Sequence, residues 1–258
     1  MCLVAFALDV HPRHALVLAG NRDEAFSRPA APLAVWDDAP DVVAGRDLQA
    51  GGTWLGVTLA GRWAVLTNVR DPKNPRPSVR SRGSLVADFL RGAQSAGAYA
   101  ETVHAERDAF DGFNLVVGEG TEAFVVSTRH DDILTLGPGV YGLSNDRLDT
   151  PWPKVRRARR HLRDALRDDP VDLDRLFALL DDRQFAADDD LPETGVGIDW
   201  ERVLSPVRIV TDGYGTRVST ALLLDRNGGG RMAERTWQPD GTEGTTVAVD
   251  LAALQNGL

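Results

Sequence analysis

The chain has 258 residues, a formal net charge of −9, 43% hydrophobic and 26% charged residues, and one cysteine. The acidic balance argues against nucleic acid as a partner, because neutralising phosphates needs a basic surface. One cysteine excludes an internal disulfide and a CxxC metal site, and no apolar run approaches the roughly 20 residues of a membrane span.

A chain of this length builds one large domain or two small ones. The N-terminus lacks a basic n-region and its apolar stretch ends at Asp9, so no signal peptide is expected. The lone thiol suits a reducing compartment, and a cytoplasmic location follows as the expectation.

In chain order, CLVAFAL (2–8) and ALVLAG (15–20) are apolar on both faces and predict strands buried between layers. The stretch 51–69 reads as a hairpin turning at Ala60-Gly61, and 113–128 as a second one turning near Gly118-Glu119-Gly120. Residues 132–145 read as a third strand pair. Apolar residues recur at helical spacing in 84–93, 98–110, 153–168 and 171–182. Segments 214–225 and 231–237 return to strand, and 186–195 reads as a mobile acidic loop. Antiparallel strands with helices in separate groups predict an α+β layered fold.

Strand pairing serves as a ruler for the polar residues. With Leu8 opposite Ala15, paired numbers in the first hairpin sum to 23, and Cys2 falls opposite Asn21 beside Arg22, Asp23 and Glu24. With Leu59 opposite Arg62, Thr53 falls opposite Asn68, next to Gly51 and Gly52. A Gly-Gly-Thr corner permits close backbone approach and offers free N–H groups. Asn145 ends the group GLSN, and Arg217 lies in an otherwise small and apolar strand.

Other polar residues carry less. The five histidines show no metal spacing. Of the 29 basic residues only Lys73 and Lys154 are lysine, which reads as a coding bias. The basic helix 154–167 is interleaved or followed by Asp164, Asp168 and Asp169, which fits a solvated, salt-bridged face.

An ordered series of motifs spans nearly the whole chain: MC at the start, AGNRDEAFSRP (19–29), GGTWLG (51–56), TN (67–68), SRG (81–83), FNLVVG (113–118), YGLSN (141–145), PWPK (151–154) and YGTRVST (214–220). It resembles the NRDE family, also called the transport and Golgi organization family. The resemblance implies a single domain over 1–258 with the four-layer αββα sandwich of N-terminal-nucleophile (Ntn) hydrolases. It is similar in layout to the choloylglycine-hydrolase and penicillin-V-acylase group, whose cysteine is exposed by loss of the start methionine. By that resemblance Cys2, Arg22, Asp23, Asn68, Asn145 and Arg217 are the expected catalytic residues. Arg22 and Asp23 are adjacent here, whereas their counterparts in the acylases are separated. The family is also connected with haem handling and lipid metabolism.

Two functions follow as expectations. The first is hydrolysis of a small amide or acyl substrate by Cys2 after Met1 removal, with no cofactor required. A free α-amine (pKa about 7.7–8.0) and a thiol (about 8.5) exchange a proton almost thermoneutrally, so the amine can serve as base for its own side chain. Asn21, Gly52, Thr53 and Trp54 would then bind the small-molecule substrate. The second is a non-catalytic carrier of haem or an acyl ligand, with Cys2 or a histidine on the iron. Each residue also has a structural reading: Cys2 as a buried strand residue, Arg22–Asp23 as an ion pair, Asn68 and Asn145 as turn caps, Arg217 in a fold-stabilising ion pair, and Trp54 as core.

Overall fold

The computed structural model describes residues 2–74 and 80–255. In chain order these form β1 (Cys2–Leu8), β2 (His14–Ala25), β3 (Ala30–Trp36), β4 (Ala39–Asp47), β5 (Leu55–Thr58), β6 (Arg62–Asn68), α1 (Gly83–Arg91), α2 (Ala96–Ala105), β7 (Phe113–Glu119), β8 (Glu122–Ser127), β9 (Leu134–Leu136), β10 (Gly139–Leu143), α3 (Pro153–Ala165), α4 (Leu173–Leu180), α5 (Ile198–Val203), β11 (Tyr214–Asp225), β12 (Gly230–Trp237), β13 (Glu243–Asp250) and α6 (Leu251–Gln255). One sheet has the order β10-β1-β2-β11-β12-β13, and the other runs β3 to β9 in sequence order.

Strand alternation sorts side chains into layers. Val4, Phe6, Leu8, Leu16 and Leu18 point between the sheets, where they meet Leu55, Val57, Trp63 and Val65. Their neighbours Leu3, Ala5, Ala7, Val17 and Ala19 point the other way, under Val155 and Leu162 of α3 and Leu176 and Phe177 of α4. On the second sheet, Leu66, Leu115 and Val117 face α1 and α2 through Val86, Phe89, Tyr99 and Val103. A strand covered on both faces must be apolar at every position, as β1 is. The fold is therefore α+β, a four-layer αββα sandwich.

Several local expectations shift. In the first hairpin Leu8 pairs with Leu16 and Cys2 with Arg22, so paired numbers sum to 24 and not 23. The cause is the loop. Asp9 adopts φ 54° and donates its N–H to the Ala15 carbonyl at 2.9 Å, so Ala15 is consumed in closing the turn. A one-residue slip exchanges the two faces of a strand. In the second hairpin Leu55 pairs with Val65, because Leu59-Ala60-Gly61 forms a three-residue turn with Gly61 at φ 82°. Thr53 thus lies before the paired region and does not face Asn68 across a ladder.

The expected third hairpin is not one. β9 pairs with β8 in one sheet and β10 with β1 in the other, and Gly137-Pro138 carries the chain across. The helix expected over 98–110 starts at Ala96 and ends at Ala105, and 107–109 is a separate 3₁₀ turn. β3 and β13 have largely exposed faces, and apolar patterning does not announce them. Residues 75–79 lie outside the described residues.

Gly118 sits directly opposite Trp63 in the β6–β7 ladder, and a Cβ there would run into the indole ring. Gly118→Ala should lower stability by about 2 kcal/mol, read as a lower urea midpoint at unchanged m-value.

Candidate active site

Cys2 opens β1 and is only 7% exposed, yet it lines a cleft of about 810 Å³ between the ends of the two sheets. The register puts Arg22 directly across the ladder, so both side chains share the inter-sheet face. The Asp23 backbone N–H lies near the Cys2 sulfur and favours its thiolate. Burial pushes the thiol up, the Asp23 charge adds to that, and Arg22 opposes it. The thiol of the resting protein therefore holds its proton at neutral pH and needs a base to become a nucleophile.

The arginine is not devoted to the sulfur. Arg22 lies 3.6 Å from Glu24 and 3.5 Å from Asp47, and Arg28 bonds Asp47 at 2.7 Å. These four residues make one wall of the cleft. Asp23 points to the opposite face of β2, is 1% exposed and accepts a 2.7 Å bond from the Thr216 hydroxyl. Burial raises its pKa, against the opposing charges of Lys154 and Arg70.

Asn68 and Asn145 act as a pair. The Asn145 amide donates to the Asn68 carbonyl at 3.0 Å and to its Oδ1 at 3.1 Å. Asn145 is fully buried and does not line the cleft. Its bonds leave the Asn68 NH2 to donate elsewhere, and Asn68 does line the cleft. Asn145 is thus placed to position Asn68, which is the better oxyanion donor.

Arg217 occupies a bulge. Thr216 pairs with Asp23 and Val218 with Arg22, which leaves Arg217 as the extra residue between them. Bulges re-aim side chains, and here both Arg217 and Val218 line the cleft. The Arg217 Nη1 donates to the carbonyls of Ala25 at 2.9 Å and Arg28 at 2.8 Å. No carboxylate lies within 4 Å of it among the described residues, so it presents a fixed, unneutralised cation.

Of the four residues expected to bind substrate, Thr53 and Trp54 line the cleft and Asn21 and Gly52 do not. Asn21 faces the helices, with its NH2 on the carbonyls of Leu180 at 2.9 Å and Val207 at 3.0 Å. Gly52 packs its backbone against Gly83 too tightly for any Cβ. Met1 lies outside the described residues.

Four further polar residues escape the sequence reading. Arg70 and Glu201 form a buried ion pair at 2.8 Å, Lys154 is buried beside them, and Glu234 lines the cleft while 3% exposed. One Glu234 oxygen accepts the Leu33 N–H at 2.9 Å, where β3 bulges away from β4. No histidine lines the cleft, and among the described residues no group of three or more His, Cys, Asp or Glu is arranged to hold a metal ion. No described helix is long and apolar enough to cross a membrane.

Burial pushes the Glu234 carboxyl up to about 7. Folded Glu234 keeps its proton to that pH, whereas an unfolded glutamate loses it near 4.3. Its contribution to stability is whole below about pH 4.3 and is lost as pH rises toward 7. Glu234→Gln should therefore gain stability relative to the unmutated protein across that window, by up to about 1.4 kcal/mol per pH unit, measured by denaturant titration at several pH values.

Comparison with known proteins agrees with this geometry. The family model described as Transport and Golgi organisation 2 matches residues 1–239. The Transport and Golgi organization protein 2 homolog of Bos taurus is 34% identical, over 92% of this chain and 93% of its own. The Homo sapiens homolog is 32% identical over the same shares. Among solved structures, the C2A mutant of conjugated bile acid hydrolase from Clostridium perfringens superposes with a TM-score of 0.54 at 10% identity, covering 98% of this chain and 93% of that one. That likeness concerns the fold, which is the Ntn-hydrolase sandwich. By sequence and by the order of its motifs, the chain belongs to the Transport and Golgi organisation 2 family.

Proposed function

We propose that the chain is a cysteine Ntn amidohydrolase acting on a small amide or acyl substrate. One observation carries the reading: the only thiol is the first residue of a central strand, at the floor of a large cleft, with Arg22, Asn68 and Arg217 around it. Removal of Met1 would free the Cys2 α-amine. That amine takes the thiol proton, and the thiolate attacks the substrate carbonyl. The Asn68 amide donates to the oxyanion, an interaction worth roughly 3–4 kcal/mol for one good donor. The α-ammonium then protonates the leaving amine, and water releases the acyl group from sulfur. Asp23 holds the α-ammonium, and Arg217 holds the thiolate or a substrate carboxylate. The unpaired thiol suits a reducing compartment, and the reading puts the activity in the cytoplasm.

A non-catalytic carrier of haem or an acyl ligand would use the same cleft, whose lining also includes Pro32, Val218, Trp237 and Val247. Cys2 and Tyr214 are the lining residues able to ligate haem iron. Intact mass of protein made without an N-terminal tag separates the two. The expected result is a mass lighter by one methionine, with turnover of some amide in a substrate screen that falls roughly 10³-fold or more in Cys2→Ala. A full-length mass, with no turnover and stoichiometric haem or acyl binding, would replace the hydrolase by the carrier.

A further inference from the structure

Five arginines line the cleft: Arg22, Arg28, Arg46, Arg82 and Arg217. Four of them sit on carboxylates. Arg22 and Arg28 lie 3.5 and 2.7 Å from Asp47, Arg46 lies 2.8 Å from Asp38, and Arg82 lies 3.3 Å from Asp111. Arg217 has no such partner within 4 Å among the described residues. Its Nη1 is spent on the carbonyls of Ala25 and Arg28, and the guanidinium lies over the Phe26 ring, 5.4 Å from the centroid. Nε and Nη2 have no hydrogen-bond partner among the described residues and are not closed off by burial. A guanidinium pinned by one nitrogen thus keeps its parallel Nε–H and Nη2–H for a two-oxygen acceptor.

The register sets that fork apart from the sulfur. Cys2 pairs with Arg22 and Arg22 with Val218, so the β11 backbone runs two strand spacings, roughly 10 Å, from Cys2. The Ala25 carbonyl that holds Nη1 is three residues past Arg22 on β2, roughly 10 Å further along the strand. A thiolate on Cys2 lies beyond hydrogen-bond reach of this guanidinium. Of the two roles open to Arg217, the distance favours the substrate.

We propose that Arg217 is a specificity-determining residue, and that the substrate is an amide or acyl compound carrying a carboxylate for it. The scissile carbon must come within about 3 Å of the sulfur and the carboxylate within about 3 Å of the guanidinium. That leaves roughly 6 Å between them, about two residues or six bonds of extended chain. The chain as a whole carries a net charge of −9 and repels anions, so the attraction has to be local. The inference deepens the hydrolase reading, on which its catalytic meaning rests.

The test is affinity labelling of Cys2 by bromoacetylglycine, 4-(bromoacetamido)butanoate and 8-(bromoacetamido)octanoate, each against its neutral carboxamide. The thiolate attacks the methylene carbon, an S–C bond forms, the C–Br bond breaks and bromide leaves. With one cysteine in the chain, the rate reports Cys2 alone. The butanoate, whose spacer is about six bonds, should label about tenfold faster than its carboxamide, and the glycine pair should differ least. Arg217→Gln, which keeps one amide donor for the Ala25 and Arg28 carbonyls, should bring the butanoate ratio to about one. Equal rates for acid and carboxamide in the unmutated protein, or an unchanged ratio in the folded variant, overturn the proposal. If that variant does not fold, spacer length decides. A preference that peaks at the butanoate supports the proposal, and one indifferent to length overturns it. No turnover enters the assay. Without turnover, a length-dependent preference would leave Arg217 as the anion site of a carrier, and equal labelling would leave hydrolysis of neutral amides standing.

Discussion

The site depends on how the sandwich closes where its two sheets part. Backbone groups at a splayed sheet end need partners, because burial without hydrogen bonds is costly. Residues 144–146, just after β10, supply them. The Ser144 hydroxyl bonds the Cys2 carbonyl in one sheet, and the Ser144 carbonyl accepts from Thr67 and Asn114 in the other. Asn114 also donates to the Asp146 carbonyl at 2.8 Å. This short crossing fixes the height of Cys2 above the second sheet. It delivers Asn145 to Asn68 in the same step. The cleft is therefore a by-product of pinning the sheets at one point and letting them diverge beyond it.

Burial then divides the labour among the charges. The cleft wall is an alternating array of Arg22, Glu24, Arg28 and Asp47, in which each charge has an opposite neighbour. Such an array is rigid but nearly neutral. The cation of the cleft that stands outside this array without a carboxylate partner among the described residues is Arg217, on the β11 bulge.

Much of this is legible in the sequence, and the losses have physical causes. β1, β2 and β11 are nearly continuous apolar runs that turn polar at one end, so Cys2, Arg22 and Arg217 can be brought together from pattern alone. The ruler fails by one residue because Asp9 adopts a left-handed turn that no hydrophobic pattern marks. That single residue decides that Arg22, and not Asn21, shares the face of Cys2. Asn145 is recognisable as a strand-end residue, but its partner is not, since Asn68 is 77 positions away. Lys154, Arg70 and Glu201 stay hidden for the same reason: they meet only when α3, α5 and the end of β6 pack together. Lys154 does leave one trace, as a lysine in an arginine chain.

The bulge in β11 has a consequence for how such a site is built. Thr216 pairs with Asp23 and Val218 with Arg22, successive residues on β2. Remove Arg217, and the ladder on either side would join without a break. The strand gains nothing from the extra residue as a strand. What it gains is a guanidinium, inserted between two halves of a sheet that need not adjust to it. A cation of this kind can enter or leave a fold by one codon, independently of the core that carries it.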